Sequence, residues 1–273
     1  MKISEIQNIN RQTLKSVDSF IDDKDYNGSP DNYGLPQHVR HLIDLPIDNK
    51  ITYVDLIMFL QTHFNKEKIK YVEIGVSVLK TFYQVSQFLS NSKLYAFDIN
   101  EPNPTIRNKF NLTSDDGKLR EFKTKDNEIC YFQGDVFNKE DFERFNNTVG
   151  SKVNIIFSDA HHTGLGLSSE YTNFIKDALD EDFILYYDDL GNNTMRSVFL
   201  EIAQDIRTRR KDTSSAFVEV NGWLGQHEHV HLNGIVTSLN LQEIFDANEL
   251  NIPHQILYSQ TPAITGPVGS SSG

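Results

Sequence analysis

The feature that most restricts the fold is a regular alternation of short apolar runs with segments of helical periodicity. The runs are rich in β-branched and aromatic residues and indicate strands at 71–74, 94–97, 129–132, 154–157 and 183–187. The segments between them predict helices at 79–89, in part of 105–123, and at 139–147, 169–179 and 194–208. Strands that alternate with helices form a parallel sheet covered on both faces, so the sequence predicts an α/β fold.

The end of the chain departs from this alternation. Two further β-runs, AFVEVNGWLG and HVHLNGIVTSL, are joined by a loop that leaves no room for a crossover helix. Strands joined in this way should be antiparallel. We therefore expect a Rossmann-like, doubly wound sheet of seven strands in the order 3-2-1-4-5-7-6, with the last strand antiparallel.

Composition divides the chain into three parts. Residues 1–50 indicate an N-terminal helical extension and a candidate substrate lid, 51–262 the α/β domain, and the Gly/Ser-rich segment 263–273 a flexible tail. The net charge of -12 argues against nucleic acid as a partner, because phosphate contacts need a basic surface. The sequence contains neither a secretory signal nor a run of the ~20 apolar residues that a membrane span needs, so we expect a cytoplasmic protein without membrane contacts.

Acidic residues lie at the end of every predicted strand of the alternating part. Ligands of open α/β sheets bind beyond these carboxyl ends. The acids are Glu73, Asp98, Asp135, Asp159 and the pair Asp188 and Asp189. One such acid commonly caps the next helix, whereas a series along one edge indicates a binding site. An acid in the position of Asp98 suits the ribose of an adenosine-containing cofactor, and NAD folds use the same position.

Five segments in order carry a family resemblance: YVEIGVSVLKTF, LYAFDIN, FQGDVFN, NIIFSDAHHT and ILYYDDLGNN. Together with the terminal hairpin, they resemble the class I S-adenosylmethionine-dependent methyltransferases. More narrowly, they are similar to the metal-assisted O-methyltransferases of the catechol and macrocin types. The resemblance covers residues 52 to 240. It implies that the cofactor is S-adenosylmethionine and that its methyl group passes to a hydroxyl of a small-molecule acceptor.

The resemblance also implies which residues contact the cofactor. Glu73 and Gly75 would contact its methionine part and Asp98 its ribose, while Asp135 and Val136 would lie by the adenine.

The chain departs from the family in the turn after the first strand, where the further glycines of the motif are replaced by Val76, Ser77, Val78 and Leu79. Ser77 and Thr81 are candidates for polar contacts with the cofactor there. A dinucleotide site needs G-x-G-x-x-G, of which Gly75 alone is present, and a P-loop is absent. We interpret the turn as a divergent but usable site. The alternative is a catalytically lapsed scaffold that acts as a binding protein.

A carboxylate triad is the candidate metal site. By the resemblance, Asp159, Asp188 and Asp189 hold a divalent cation, with Asp189 in place of an amide, and oxygen ligands suit Mg²⁺. Such a cation lowers the pKa of an acceptor hydroxyl. The candidate catalytic residues are Asp159 with His161 or His162, one of which could accept the hydroxyl proton. The alternative is that the aspartates cap helices and that the histidines are structural.

A second motif, HEHVHLNG, matches the H-E-x-x-H pattern of zinc proteases through His227, Glu228 and His231. That pattern requires a helix, whereas strand-like segments flank it here, so a zinc hydrolase is a weak alternative. The identity of the acceptor is open at this stage. The oligomeric state is open as well, a homo-oligomer included.

Overall fold

The computed structural model describes residues 1–16, 51–103, 107–222 and 230–260. Its α-helices are α1 Ile3–Lys15, α2 Tyr53–Gln61, α3 Lys80–Phe88, α4 Lys139–Val149, α5 Gly164–Glu170, α6 Lys176–Ala178, α7 Asn193–Arg209 and α8 Leu241–Ala247. A π-helical segment, Tyr171–Ile175, joins α5 to α6. The strands are β1 Lys70–Ile74, β2 Lys93–Asp98, β3 Asn111–Asp115, β4 Leu119–Thr124, β5 Asn127–Gln133, β6 Val153–Ser158, β7 Leu179–Tyr187, β8 Ser214–Asn221, β9 Val230–Thr237 and β10 His254–Tyr258.

All of these strands belong to one mixed sheet. Their order is β10-β8-β9-β7-β6-β1-β2-β5-β4-β3. The five central strands, from β7 to β5, pair in parallel. Strand β9 runs antiparallel to both of its neighbours, β7 and β8. The α/β class and the large central sheet of the sequence-based prediction are therefore confirmed.

The predicted strand count and order are wrong, because the described residues form ten strands instead of seven. The seven expected strands stay contiguous in the larger order. Strands β3 and β4 extend the sheet at one edge and β10 extends it at the other. The hairpin of β3 and β4 occupies part of the segment 105–123 for which a helix was predicted. Buried and exposed residues alternate along β4 with the period of two that a strand requires.

Helices cover both faces of the sheet, as the apolar strands predicted. One buried cluster joins a face of the sheet to α1, α2, α3 and α8, and contains Phe157 and Tyr186. The other cluster joins the opposite face to α4, α5 and α7, and contains Phe97 and Tyr187. Helices thus cover the faces of the sheet, and a cavity opens at the carboxyl ends of the central strands.

The first helix docks on the domain through a polar contact. Asn10 Nδ2 donates to Asp55 Oδ1 at 2.6 Å, and Asp55 in turn closes the capping box with Thr52 at the start of α2. The rest of the predicted extension, including the candidate lid, and the whole of the predicted tail lie outside the described residues. Within the described ranges, the helices are too short or too polar to cross a membrane.

Candidate active site

A cavity of about 650 Å³ opens at the carboxyl ends of β1, β2, β5 and β6. This volume is within the usual range for small-molecule sites. The residues that line it are Gly75, Ser77, 97–100, 134–137 and 159–162. Among the residues predicted from the sequence, the cavity therefore brings together Gly75, Ser77, Asp98, Asp135, Val136, Asp159, His161 and His162.

The turn between β1 and α3 keeps a left-handed backbone without the usual glycines. Gly75 has φ +85°, and Ser77 and Leu79 have φ 45° and 64°. This conformation costs an L-residue roughly 1–2 kcal/mol. Leu79 precedes the first residue of α3, and its side chain is buried, which offsets the backbone cost. Residues other than glycine thus adopt left-handed conformations in this turn.

Asp98 holds this turn in place. Its Oδ2 accepts from the backbone amides of Val76 and Ser77, both at 2.9 Å. Its Oδ1 accepts from the backbone and side-chain nitrogens of Asn100, at 2.9 and 3.2 Å. A carboxylate offers about four acceptor positions, and protein donors take that number here. Burial raises the pKa of Asp98, and these hydrogen bonds oppose the rise.

Two successive amides that point at one anion form a nest, which in phosphate-binding turns holds the ligand. Here the Asp98 carboxylate of the same chain fills the nest. A ligand phosphate at this turn would have to displace a buried carboxylate.

Gly75 brings the β1 turn against the loop that follows β6. A Cβ added at Gly75 would lie 2.3 Å from the Cα of Ala160 and 2.4 Å from the carbonyl oxygen of Asp159. Backbone atoms cannot move aside as a flexible side chain can. The absence of a side chain at Gly75 is therefore required by the contact between two strand ends.

Two residues predicted to contact the cofactor lie outside the cavity lining. Glu73 is buried and accepts from the Tyr71 hydroxyl at 2.5 Å. Burial raises the pKa of Glu73 well above its usual range. The Thr81 hydroxyl is 3.2 Å from the hydroxyl of Tyr53. Contacts of Glu73 and Thr81 with a cofactor remain predictions.

The lining of the cavity also includes exposed apolar side chains that the sequence interpretation missed. Ile99 is 61% exposed and Phe137 is 50% exposed, and both line the cavity. Ile99 follows the strand-end acid Asp98 by one position, and Phe137 follows Asp135 by two. An apolar residue shortly after a strand-end acid was therefore the sequence signal that could have identified them. Asp135 Oδ1 accepts from the Phe137 amide at 2.9 Å.

Two of the three predicted metal ligands, Asp159 and Asp188, converge because β6 and β7 are neighbours, and the group of converging ligand atoms does not include Asp189. Ser158 pairs with Tyr187 at the ends of these strands, and Asp159 and Asp188 follow directly. One ligand atom from each of Asp159, His162 and Asp188 lies within 4.8 Å of the others. Desolvation and the charge of Asp188 raise the pKa of Asp159 to about 7.

His162 lies among the acids, whereas His161 turns away from them. His162 Nε2 is 3.0 Å from Asp159 Oδ1, and its Nδ1 is 3.6 Å from Asp189 Oδ2. The hydrogen bond to Asp159 raises the pKa of His162 to about 9. His161 Nδ1 instead contacts the Thr163 hydroxyl at 2.9 Å, and its ring lies edge-on to Phe137.

His231 also reaches this cluster. Its Nδ1 is 3.3 Å from Asp188 Oδ1, a contact that raises the pKa of His231. Strand β9 pairs with β7, and the predicted order also placed these two strands, the fifth and the seventh, side by side. The predicted order could therefore have indicated the contact between His231 and Asp188. His227 and Glu228 lie outside the described residues. His231 belongs to a strand, so the helix that an H-E-x-x-H zinc site requires is not formed at this position.

A further carboxyl group, that of Glu170, is buried beside Ser158, the residue that precedes Asp159. Glu170 Oε2 accepts from the Ser158 hydroxyl at 2.5 Å, while Oε1 has no hydrogen-bond partner among the described residues. Burial raises the pKa of Glu170 to about 8. The folded protein therefore retains at neutral pH a proton that the unfolded chain releases near the ordinary value of 4.5.

Glu170→Gln should make the protein more stable than the wild type as the pH rises. Between pH 4.5 and about 8 the wild type loses stability, because folding must keep this carboxyl protonated. Glutamine cannot ionise and retains an acceptor for Ser158. Urea unfolding at several pH values tests this, with the exposed Glu201→Gln as control. A stability difference that does not grow with pH would show that Glu170 is already ionised in the folded state.

Comparison with known proteins gives matches in structure alone. No protein-family model and no curated protein sequence matches the chain. An O-methyltransferase from Bacillus cereus in complex with SAH matches with a TM-score of 0.45 and 12% identity, over 79% of this chain and 94% of that chain. The O-methyltransferase TomG from Streptomyces achromogenes, in complex with SAM, matches with a TM-score of 0.45 and 9% identity, over 73% and 86%.

The MycE methyltransferase of the mycinamycin pathway, in complex with Mg and SAH, matches with a TM-score of 0.36 and 14% identity. That match covers 48% of this chain, and the chain spans 30% of the MycE chain. The solved structures that this protein resembles thus include O-methyltransferases in complex with SAM or SAH.

Proposed function

We propose that the protein binds S-adenosylmethionine and transfers its methyl group to a hydroxyl of a small molecule, assisted by a divalent cation. The observation that carries this proposal is the filled nest of the β1 turn. Because the amides of Val76 and Ser77 already bind Asp98, the turn suits a cofactor that brings no phosphate to it. S-adenosylmethionine has no pyrophosphate, whereas NAD does.

The charge of the cavity supports the same choice. Asp98, Asp135 and Asp159 line it, so it favours a ligand with positive groups over a ligand with phosphates. S-adenosylmethionine carries a sulfonium and an ammonium. Ile99 and Phe137 are exposed and apolar and are suited to cover an adenine ring, and Asp135 has a carboxylate oxygen for its amino group.

The acids beyond β6 and β7 suit the acceptor side of the reaction. Asp159, Asp188 and Asp189 with His162 offer a donor set that fits a divalent cation. The buried Tyr186 hydroxyl has no partner among the described residues. Burial and, after it, the Asp188 charge raise the pKa of Tyr186. A cation held there would lower the pKa of an acceptor hydroxyl and orient its oxygen.

The chain itself aligns the two reactants. The cavity and the acid cluster share Asp159, so a donor in the cavity and an acceptor at the acids would meet at the end of β6. Methyl transfer depends on in-line placement more than on acid catalysis. Gly75 lets the donor side and the acceptor side approach each other, since it contacts the backbone of Asp159 and Ala160.

Calorimetry with S-adenosylhomocysteine and with NAD tests the cofactor. S-adenosylhomocysteine should bind and NAD should not, and Asp135→Ala should weaken S-adenosylhomocysteine about tenfold through a lost hydrogen bond. Asp116→Ala, in the exposed turn between β3 and β4, is the control. Binding of NAD without binding of S-adenosylhomocysteine would overturn the proposal. Binding without transfer to any hydroxyl acceptor would instead support the lapsed scaffold.

A further inference from the structure

We infer that His162 is a ligand in a mixed carboxylate–imidazole cation site, which selects a first-row transition-metal ion over Mg²⁺. This inference rests on the proposed function for the existence of a cation site. It departs from the oxygen-only Mg²⁺ site that the three aspartates suggested in the sequence. It also assigns His162 to the cation and not to the proton of the acceptor hydroxyl.

The geometry of the cluster carries the inference. The three groups with ligand atoms within 4.8 Å of one another are Asp159, His162 and Asp188, and they include an imidazole nitrogen. Asp159 and His162 lie three positions apart in one loop, and His162 Nε2 approaches Asp159 Oδ1 to 3.0 Å. A cation that binds the Asp159 carboxylate on this side therefore meets the His162 nitrogen as its neighbour.

Asp189 is in a position to support His162. Histidine ligands of metals usually donate their second ring N–H to a carboxylate, which fixes the ring and its tautomer. His162 directs Nε2 toward Asp159 and Nδ1 toward Asp189 Oδ2, at 3.0 and 3.6 Å. Asp189 has φ 48°, so the backbone holds it in a strained conformation beside this ring. In this assignment Asp189 orients the ligand His162 and does not itself bind the cation.

An independent sign of a ligand is the hydroxyl of Tyr186. It is fully buried and has no hydrogen-bond partner among the described residues, although an unpaired buried hydroxyl is costly. Burial and, after it, the charge of Asp188 raise the pKa of Tyr186. A water molecule of a hydrated cation bound by Asp188 is the kind of partner that this hydroxyl lacks.

The chemistry of the donor set decides the class of cation. Carboxylate and water oxygens suit Mg²⁺ and also Mn²⁺, whereas imidazole suits the heavier first-row ions such as Fe²⁺, Ni²⁺ and Zn²⁺. A second imidazole, that of His231, lies 3.3 Å from Asp188 Oδ1. His231 stays outside the group of converging ligand atoms, so the imidazole of His162 is the nitrogen donor there. That nitrogen raises the affinity for first-row transition-metal ions, of which Mn²⁺ is the spectroscopic probe, without helping Mg²⁺.

Pulsed electron paramagnetic resonance of the full chain with Mn²⁺, without cofactor or acceptor, tests the assignment. The spectrum should contain modulation from a directly bound ¹⁴N. His162→Ala should remove that modulation and weaken Mn²⁺ at least about tenfold, while Mg²⁺ affinity, measured by competition, should change little. Asp188→Asn should weaken both cations.

His161→Ala is the matched control, because its ring contacts Thr163 and Phe137 instead of the acids. It should leave the Mn²⁺ spectrum and affinity unchanged. Nitrogen modulation that persists in His162→Ala, or Mg²⁺ that binds the wild type as tightly as Mn²⁺, would overturn the inference and leave a cation-assisted function standing. If neither cation binds while S-adenosylhomocysteine does, the cation site fails and the cofactor assignment survives.

Discussion

Gly75→Ala is expected to destabilise the protein by roughly 3–5 kcal/mol, because overpacking against rigid atoms adds to the strain of a left-handed backbone. The new Cβ would lie 2.3 Å from the Cα of Ala160 and 2.5 Å from its nitrogen. These atoms belong to the backbone, so relief requires the end of β6 to move away from β1. Urea-induced unfolding, monitored by circular dichroism, measures the loss.

Gly117→Ala separates the two contributions. Gly117 has φ +93°, close to that of Gly75, but a Cβ there meets no atom within 4 Å. It should therefore cost only the backbone strain, about 1–2 kcal/mol. Equal losses at Gly75 and Gly117 would show that the strand ends can separate freely.

The sequence was informative wherever strand adjacency alone decides a contact. The proximity of Asp159 and Asp188 could be predicted from the sequence alone, because successive βα units place β6 next to β7 and both acids follow the strand ends. The same logic joins Asp98 and Asp135 to one cavity. Such contacts depend on register along a sheet, which the apolar pattern of each strand fixes.

The sequence was uninformative where a side chain has several possible hydrogen-bond partners or contacts. The ribose contact of Asp98 stays a prediction, and the strand-end position gave no sign that its oxygens accept hydrogen bonds from Val76, Ser77 and Asn100. The strand-end position does not reveal that a glycine-poor turn needs an anion to hold it. His161 and His162 are neighbours in sequence, and the sequence offers no reason why the first faces Phe137 and the second faces Asp159.

Irregular additions were also missed. The hairpin of β3 and β4 is short and polar, and β3 is exposed along its whole length. Its pairing with β4 therefore comes from backbone hydrogen bonds more than from burial, which leaves little hydrophobic pattern to detect. The central strands, by contrast, are apolar on both faces and were found.

Asp98→Ala should destabilise the unliganded protein by roughly 3–5 kcal/mol, because it removes the acceptor for several hydrogen bonds and leaves amides of the β1 turn without a partner. The Val76 amide is buried and the Ser77 amide is partly buried. Asp98→Asn should lose a similar amount, since an amide nitrogen would face two of the N–H donors. Urea unfolding of the free protein is the measurement.

The same variant decides whether Asp98 acts on the turn or directly on a ribose. A residue that contacts ribose and nothing else would leave the free protein unchanged and weaken S-adenosylhomocysteine. A residue that holds the turn lowers the stability of the free protein first, and weakens binding because the turn no longer has its shape. Asp116→Ala is the control, because Asp116 accepts from a single exposed amide, that of Leu119, at 2.8 Å, and should cost less than about 1 kcal/mol. Free Asp98→Ala protein as stable as the wild type would return Asp98 to the role of a ribose ligand.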